Sequence, residues 1–423
     1  MKEELLHYVW RVQRFDCHHL MTTSGQKINI IHFGNHNHNA GPDFTNARIQ
    51  IGDTLWAGQV EMHLKASDWI KHGHQGDPNY HNVILHVVLE EDQPIHYPTG
   101  EVIPCLELKN RIPLKVAKMY QRLQHNSDWI ACQQLLPQVP HITRQVWLDR
   151  LLVERLERRC QVIKEKLENL KYDWESCLYQ CLSKSFGMNV NGAAFELLAE
   201  RLPYRLILKH QHNLQQLEAL FFGQAGLLEA TFADPYPLRL QREYRYLAHK
   251  YKLQPMSATF WKFLRMRPAN FPTIRLAQLA RLYHQTTHLF SKILAVQSVK
   301  EIENLFSVHL SSYWKDHYRF GKSSTPKQKS LGKGSIHLFT INTIAPILFL
   351  YGREKDRSSF YDLALKLLEE VPPESNHLIS KWREIGLSPA SAYQSQALLE
   401  LKKEYCQAKD CLNCAIGAAI LKN

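Results

Sequence analysis

The hydrophobic period changes once along this chain, and that change limits what the chain can fold into. Up to about residue 137 apolar residues alternate or cluster in short runs; from Ile142 they recur at helical spacing. "NARIQIG" and "DTLWAGQVEMHLKA" alternate apolar and polar positions around Gly52-Asp53, as two strands joined by a tight turn do. "QKINIIHFG" has strand composition, and "NVILHVVLE" (Asn82 to Glu90) is a nearly continuous apolar run suited to a strand buried on both faces. "EVIPCLELKN" closes the set, with Pro104 marking a strand end or an edge. An amphipathic helix is expected before these strands, to about Phe15, and another after them in "IPLKVAKMYQRLQ". Next comes "TRQVWLDRLLVERLERRCQVIKEKLENL", a long amphipathic helix, and proline-broken helical signals continue to the end. The predicted architecture is an α+β domain over 1–137, a mixed sheet with flanking helices, followed by a larger all-α domain over 138–423.

A chain of 423 residues has room for two such cores. Its charge is divided unevenly between them. Residues 1–137 carry 12 Lys/Arg against 14 Asp/Glu, and the remainder carries 40 against 26. The basic excess therefore lies wholly in the helical part, which favours a polyanionic partner, nucleic acid first. A merely solubilising surface fits the same numbers. No apolar leader follows the N-terminal methionine, and the longest apolar run, Ile341 to Gly352, is short and holds a proline. A soluble cytoplasmic protein without membrane contact is expected; oligomeric state leaves no trace in the sequence.

Histidine is skewed the other way, with 12 of 23 before residue 97. In "GPDFTNARIQIGDTLWAGQVEMHLKASDW", strand geometry puts Glu61, His63 and Lys65 on one face and Val60, Met62 and Leu64 on the other. A hairpin would bring Asp43 beside Glu61. Two adjacent carboxylates repel unless a cation lies between them, and oxygen ligands suit Mg²⁺ or Mn²⁺. His63 or Lys65 would then position the attacking water. An ordinary hairpin with a polar wet face accounts for the same residues. Just downstream, "SDWIKHGHQGDPNYHNVILH" adds His72, His74, Asp77 and His81, which are either loop ligands for a transition metal or surface residues of a turn. His86, in the buried strand, is expected to be a hydrogen-bonded core residue.

The Pro42-Asp43 step, the hairpin spacer and Glu61-Met62-His63 resemble the PD-(D/E)xK nuclease superfamily. That resemblance implies a restriction-endonuclease-like core with Asp43 and Glu61 as catalytic metal ligands. The departure is His63, which stands where that superfamily has lysine, with Lys65 two residues on. Over nearly its whole length the chain also resembles the bacterial family DUF2851, a domain of unknown function, in "AGPDFTNARI", "GQVEMHLKASDW", "YHNVILHVV", "RPANFPTIRLAQLA" and "YCQAKDCLNCAIG". That resemblance implies a shared fold and carries no activity with it.

The last of these strings contains Cys406, Cys411 and Cys414, three thiols in nine residues. Such spacing suits Zn²⁺ or an iron–sulfur cluster, with Cys132 the leading candidate for a fourth ligand. Thiols buried in a helix core would look the same. For polyanion contact, the candidates are Arg239, Arg242 and Arg245, interleaved with tyrosines, and Lys322, Lys327 and Lys329 in a basic Gly/Ser/Pro-rich loop. Together these features point first to a metal-dependent nucleic-acid phosphodiesterase. Two alternatives stand beside it: a non-catalytic nucleic-acid-binding or scaffold protein on the same fold, and a metal-dependent hydrolase of another phosphorylated substrate working through His72 and His74.

Overall fold

The computed structural model describes residues 2–37 and 39–422. The chain divides into two compact units, Met1–Trp147 together with Leu401–Asn423, and Leu148–Glu400. The terminal cysteine segment thus belongs to the sheet-containing unit.

The first unit is built on one mixed sheet. Its strands are β1 (Ile28–His32), β2 (Asn35–His36), β3 (Phe44–Ile51), β4 (Thr54–Lys65), β5 (Val83–Glu90) and β6 (Cys105–Glu107). The order is β1-β3-β4-β5-β6, with β2 also paired to β3. β3 and β4 form the expected hairpin: Ile51 pairs with Thr54 across Gly52-Asp53, and Gly52 supplies the positive φ of +59° that a two-residue turn needs. β4 then pairs parallel to β5, and β5 parallel to β6. As the apolar run predicts, β5 is buried from Val83 to Val88. Around the sheet lie α1 (Glu3–Arg11), the short α2 (Asp68–Lys71) and α3 (Leu114–His125). α1 buries Leu5, Leu6, Tyr8, Val9 and Trp10, which leaves Glu3 and His7 one turn apart on a half-buried edge.

Close approach of β4 and β5 depends on Gly58. A methyl group there would sit 2.4 Å from Ile84 Cγ2 and 2.7 Å from the Asn82 carbonyl. Gly58→Ala is therefore expected to cost about 1–3 kcal/mol of stability, the usual penalty for overpacking, read as a lower urea midpoint with an unchanged slope.

The second unit is helical, with one departure from the all-α expectation. Its basic loop folds into a two-stranded hairpin, His317–Arg319 with Lys322–Ser323. The helix Pro272–Gln285 is buried on almost every side and forms the centre of this unit's core. Among the described residues one helix, Lys333–Lys355, is long and apolar enough to cross a bilayer, and 67% of its most apolar window is buried inside the protein, as in a core helix. The run Ile341 to Gly352 is thus part of a longer element than the sequence suggested.

Candidate metal centre

Parallel strands cannot be joined by a hairpin; the chain must cross over one face of the sheet. Between β4 and β5 that crossover is α2 and the turns after it, and it carries His72 and His74. Ser67 is fastened at its start by Asp92, through Ser67 N–H to Oδ1 at 2.9 Å and Oγ–H to Oδ2 at 2.7 Å. Gly73 follows with φ +77°, which reverses the chain between the two histidines. Asp77 then caps the turn Pro78–Tyr80 by accepting the Asn79 N–H at 2.9 Å. Tyr80 stacks on His74 with ring centroids 3.8 Å apart, and Trp69 stands edge-on to His63, His74 and His86. The crossover thereby lays its His-x-His over the part of β4 that presents Glu61 and His63.

Three imidazoles meet there, and Glu61 stands beside two of them. His63 Nε2 lies 3.2 Å from His72 Nδ1 and 3.6 Å from Glu61 Oε1, and His74 Nε2 lies 3.3 Å from the same oxygen. The three imidazoles place one nitrogen each within 4.8 Å of the others. A tetrahedral ion with metal–nitrogen bonds of about 2.0–2.1 Å sets its ligand atoms about 3.3 Å apart. The His63–His72 separation of 3.2 Å and the two Glu61 separations of 3.3 and 3.6 Å lie near that edge, while Glu61 falls outside the group formed by the three imidazoles. His86, paired with Glu61 in the register, hydrogen-bonds through Nε2 to His63 Nδ1 at 2.9 Å. If His63 offers Nε2 to an ion, its Nδ1 carries the proton and donates it to His86, which fixes the ring from behind.

Asp43 braces this set from the neighbouring strand. The ladder between β3 and β4 ends at Phe44 and Val60, and the two carboxylates take over the donors beyond it. Asp43 N–H donates to Glu61 Oε2 at 3.0 Å, and Met62 N–H donates to Asp43 Oδ2 at 3.0 Å. Glu61 thus spends Oε2 on the backbone and turns Oε1 to the histidines. On its outer side Asp43 Oδ2 lies 3.2 Å from His7 Nε2 of α1. His7 and His36 line a cleft of about 340 Å³ together with Lys2, Arg11, Tyr120 and Lys409.

Without a cation the site is electrostatically mismatched. Burial, reinforced by the charge of Asp43, pushes the Glu61 carboxyl up to about 9. Burial and the neighbouring imidazoles push His63 down to about 2, and burial and His74 push His86 down to about 3. The 3.6 Å approach of His63 to Glu61 is therefore a contact between two neutral groups rather than a salt bridge. His7 moves the other way. Burial opposes its charge, but the contact with Asp43 and the field of Glu3 outweigh that and raise it.

The sequence candidates are sorted by this arrangement. Asp43, Glu61 and His63 come together, although Glu61 and His63 are 5% and 1% exposed rather than on a wet face. Lys65 does not join them; it is exposed at the strand end, where its charge acts on Glu90 and Asp92. His7 was missed, since nothing in an N-terminal amphipathic helix signals which strand it will meet. The thiols of Cys132, Cys406, Cys411 and Cys414 gather at a separate place in the same unit. Cys105 instead lies in the apolar cluster with Trp69, Tyr80, Val83 and Val88.

In the second unit, Arg239, Arg242 and Arg245 are exposed along the helix Pro235–Tyr251, and Lys322 and Lys327 are exposed as well. Lys329 corrects the expectation. It is 6% exposed, and its ammonium donates to the carbonyls of Trp314 and Lys315 at 2.6 and 2.7 Å, so it closes the loop instead of facing a phosphate.

A family model described as "Protein of unknown function (DUF2851)" matches residues 3–377. No curated protein and no solved structure matches the chain. The family match spans the histidine cluster and most of the helical unit, and the chain belongs to the DUF2851 family.

Proposed function

We propose that the protein is a metal-dependent phosphodiesterase acting on nucleic acid, with its ion held by His63, His72, His74 and Glu61. The observation that carries this reading is the convergence of the His63, His72 and His74 nitrogens within 4.8 Å of one another, with Glu61 Oε1 3.6 and 3.3 Å from two of them. Three imidazoles and one carboxylate suit Zn²⁺ or a similar first-row ion. Mg²⁺ asks for an oxygen shell that this set does not supply, whereas Mn²⁺ accepts either kind of donor. On this reading the first unit is a restriction-endonuclease-like core in which His63, in place of lysine, has become a ligand.

A bound ion would polarise a phosphoryl oxygen and lower the pKa of its water. The chain's own residues do the rest. His86 holds the His63 ring, and Asp43 aims Glu61. His7, whose protonated form the contact with Asp43 favours, faces the cleft and is placed to give a proton to the leaving oxygen. The exposed arginines of the helix Pro235–Tyr251 would take phosphates bidentately. We place the protein in the cytoplasm, where its thiols stay reduced.

The test is turnover of single- and double-stranded DNA and RNA, with a small chromogenic phosphodiester alongside, in Zn²⁺, Mn²⁺ or Mg²⁺. Glu61→Gln is expected to reduce turnover at least about 10²-fold, since even supporting partners of a metal ligand are worth about 10–100-fold. Equal rates in wild type and variant would contradict the reading. Cleavage of the small diester alone would move the substrate from nucleic acid to another phosphorylated compound. The mutual backbone bonds of Asp43 and Glu61 also suit a purely structural role. Nucleic-acid binding without turnover would select that second reading.

A further inference from the structure

The terminal segment carries a second cluster, apart from the histidine site. Each of the thiols of Cys132, Cys406, Cys411 and Cys414 lies within electrostatic reach of the other three. None of the four is in a disulfide, and Cys132, Cys411 and Cys414 are buried. Four thiols so placed repel one another as thiolates unless something cationic sits among them.

Their spacing separates two kinds of occupant. A single zinc ion with zinc–sulfur bonds of about 2.3 Å draws its thiolates to about 3.8 Å from one another. Among the described residues, only the histidine group brings three ligand atoms within 4.8 Å; the sulfurs do not. They are near neighbours set wider than one ion would hold them. An iron–sulfur cubane takes one thiolate on each of four irons and so spreads its ligands farther apart.

The local backbone is shaped around the sulfurs. A π-turn, Leu401–Cys406, and a left-handed Lys409 (φ +53°) bend the chain between the first and second cysteines. Cys414 precedes the helix Ala415–Lys422, and the N–H groups of Ile416 and Gly417 in its first turn lie against its sulfur. Hydrogen bonds to ligating sulfur are a principal means by which proteins tune such clusters. Gly417 permits this fit, because a methyl group there would lie 2.1 Å from the Cys411 carbonyl oxygen. The segment is also fastened on its other side. Gln124 donates to the Lys409 carbonyl at 3.1 Å, and Arg11 donates to the Leu412 carbonyl at 3.3 Å and to Asn413 Oδ1 at 3.2 Å. Residues 408–410 and 412–413 form one wall of the cleft that His7 lines.

We infer that Cys132, Cys406, Cys411 and Cys414 ligate a [4Fe–4S] cluster that fixes the terminal segment as a wall of that cleft. This inference does not depend on the hydrolytic reading, because the two sites share no ligand.

The test uses the full chain purified without oxygen, with iron, zinc and acid-labile sulfide measured per chain and the visible and EPR spectra recorded. About four iron and four sulfide per chain are expected, with thiolate-to-iron absorption bleached by dithionite. Cys132→Ser and Cys406→Ser are expected to lose iron and sulfide together. Cys177→Ser, from a hydrogen-bonded thiol pair in the second unit, keeps wild-type loading. The wild-type measurements stand alone if a ligand variant fails to fold. One zinc per chain without sulfide, iron unaffected by Cys132→Ser, or no metal at all after anaerobic reconstitution would each overturn the cluster.

Discussion

Substituting His72 by alanine is expected to lower affinity for Zn²⁺ at least about 10²-fold while costing the metal-free fold only about 1 kcal/mol. The two halves of this outcome come from different features of the residue. His72 is exposed on the crossover, so its removal opens no cavity and lets water reach the His63 Nε2 that it hydrogen-bonds, which limits the cost. Yet its Nδ1 stands 3.2 Å from His63 Nε2, at a tetrahedral edge. His63→Ala is the contrasting case. That ring is 1% exposed and holds His86, so its loss removes metal and destabilises the fold together. Competitive titration against a chromophoric chelator reads the affinity, and urea denaturation of the chelated protein reads the fold. Unchanged affinity in His72→Ala would mean that the histidines form a polar core and nothing more.

The second large effect is a reversal of pH dependence by the ion. In the metal-free protein, folding holds a proton on Glu61 up to about 9 that the unfolded chain releases near 4.5. The folded state thus binds more protons across that window, and stability falls as pH rises through it. His63 and His86, at about 2 and about 3, stay neutral when folded, whereas the unfolded chain protonates them below 6.5. Stability therefore also falls as pH drops below 6.5, and for these three groups the metal-free maximum lies near pH 6.5. From pH 6.5 to 8.5 the loss due to Glu61 is on the order of 2 kcal/mol. Metal ligation needs the deprotonated carboxylate, so saturating Zn²⁺ is expected to abolish the alkaline decline. Glu61→Gln removes it without metal. Urea midpoints across pH 5–9, with chelator and with ion, read both effects; a decline that persists unchanged in Glu61→Gln would assign it elsewhere.

The strands, the hairpin turn and the change to helix were legible because they rest on local period and turn chemistry. The site was legible only in part. Asp43 and Glu61 could be brought together because a hairpin between β3 and β4 is a local event. His72 and His74 look like surface loop residues until β5 is known to lie parallel to β4, and a parallel pairing is a non-local choice that alternation does not encode. The same choice buries Glu61 and His63, which the sequence placed on a wet face, by covering them with the crossover. His7 depends on where α1 docks, and Lys329 on how a basic loop folds back on its own carbonyls. In each case the residue type was informative and the partner was not.

The central claim is that three histidines and one glutamate hold an ion, and anomalous scattering tests it most directly. Crystals of the zinc-loaded protein would be measured on both sides of the zinc edge. A single-ion peak enclosed by His63, His72, His74 and Glu61 is the predicted result. Its absence at full zinc loading, or anomalous density confined to the cysteines, would contradict the account.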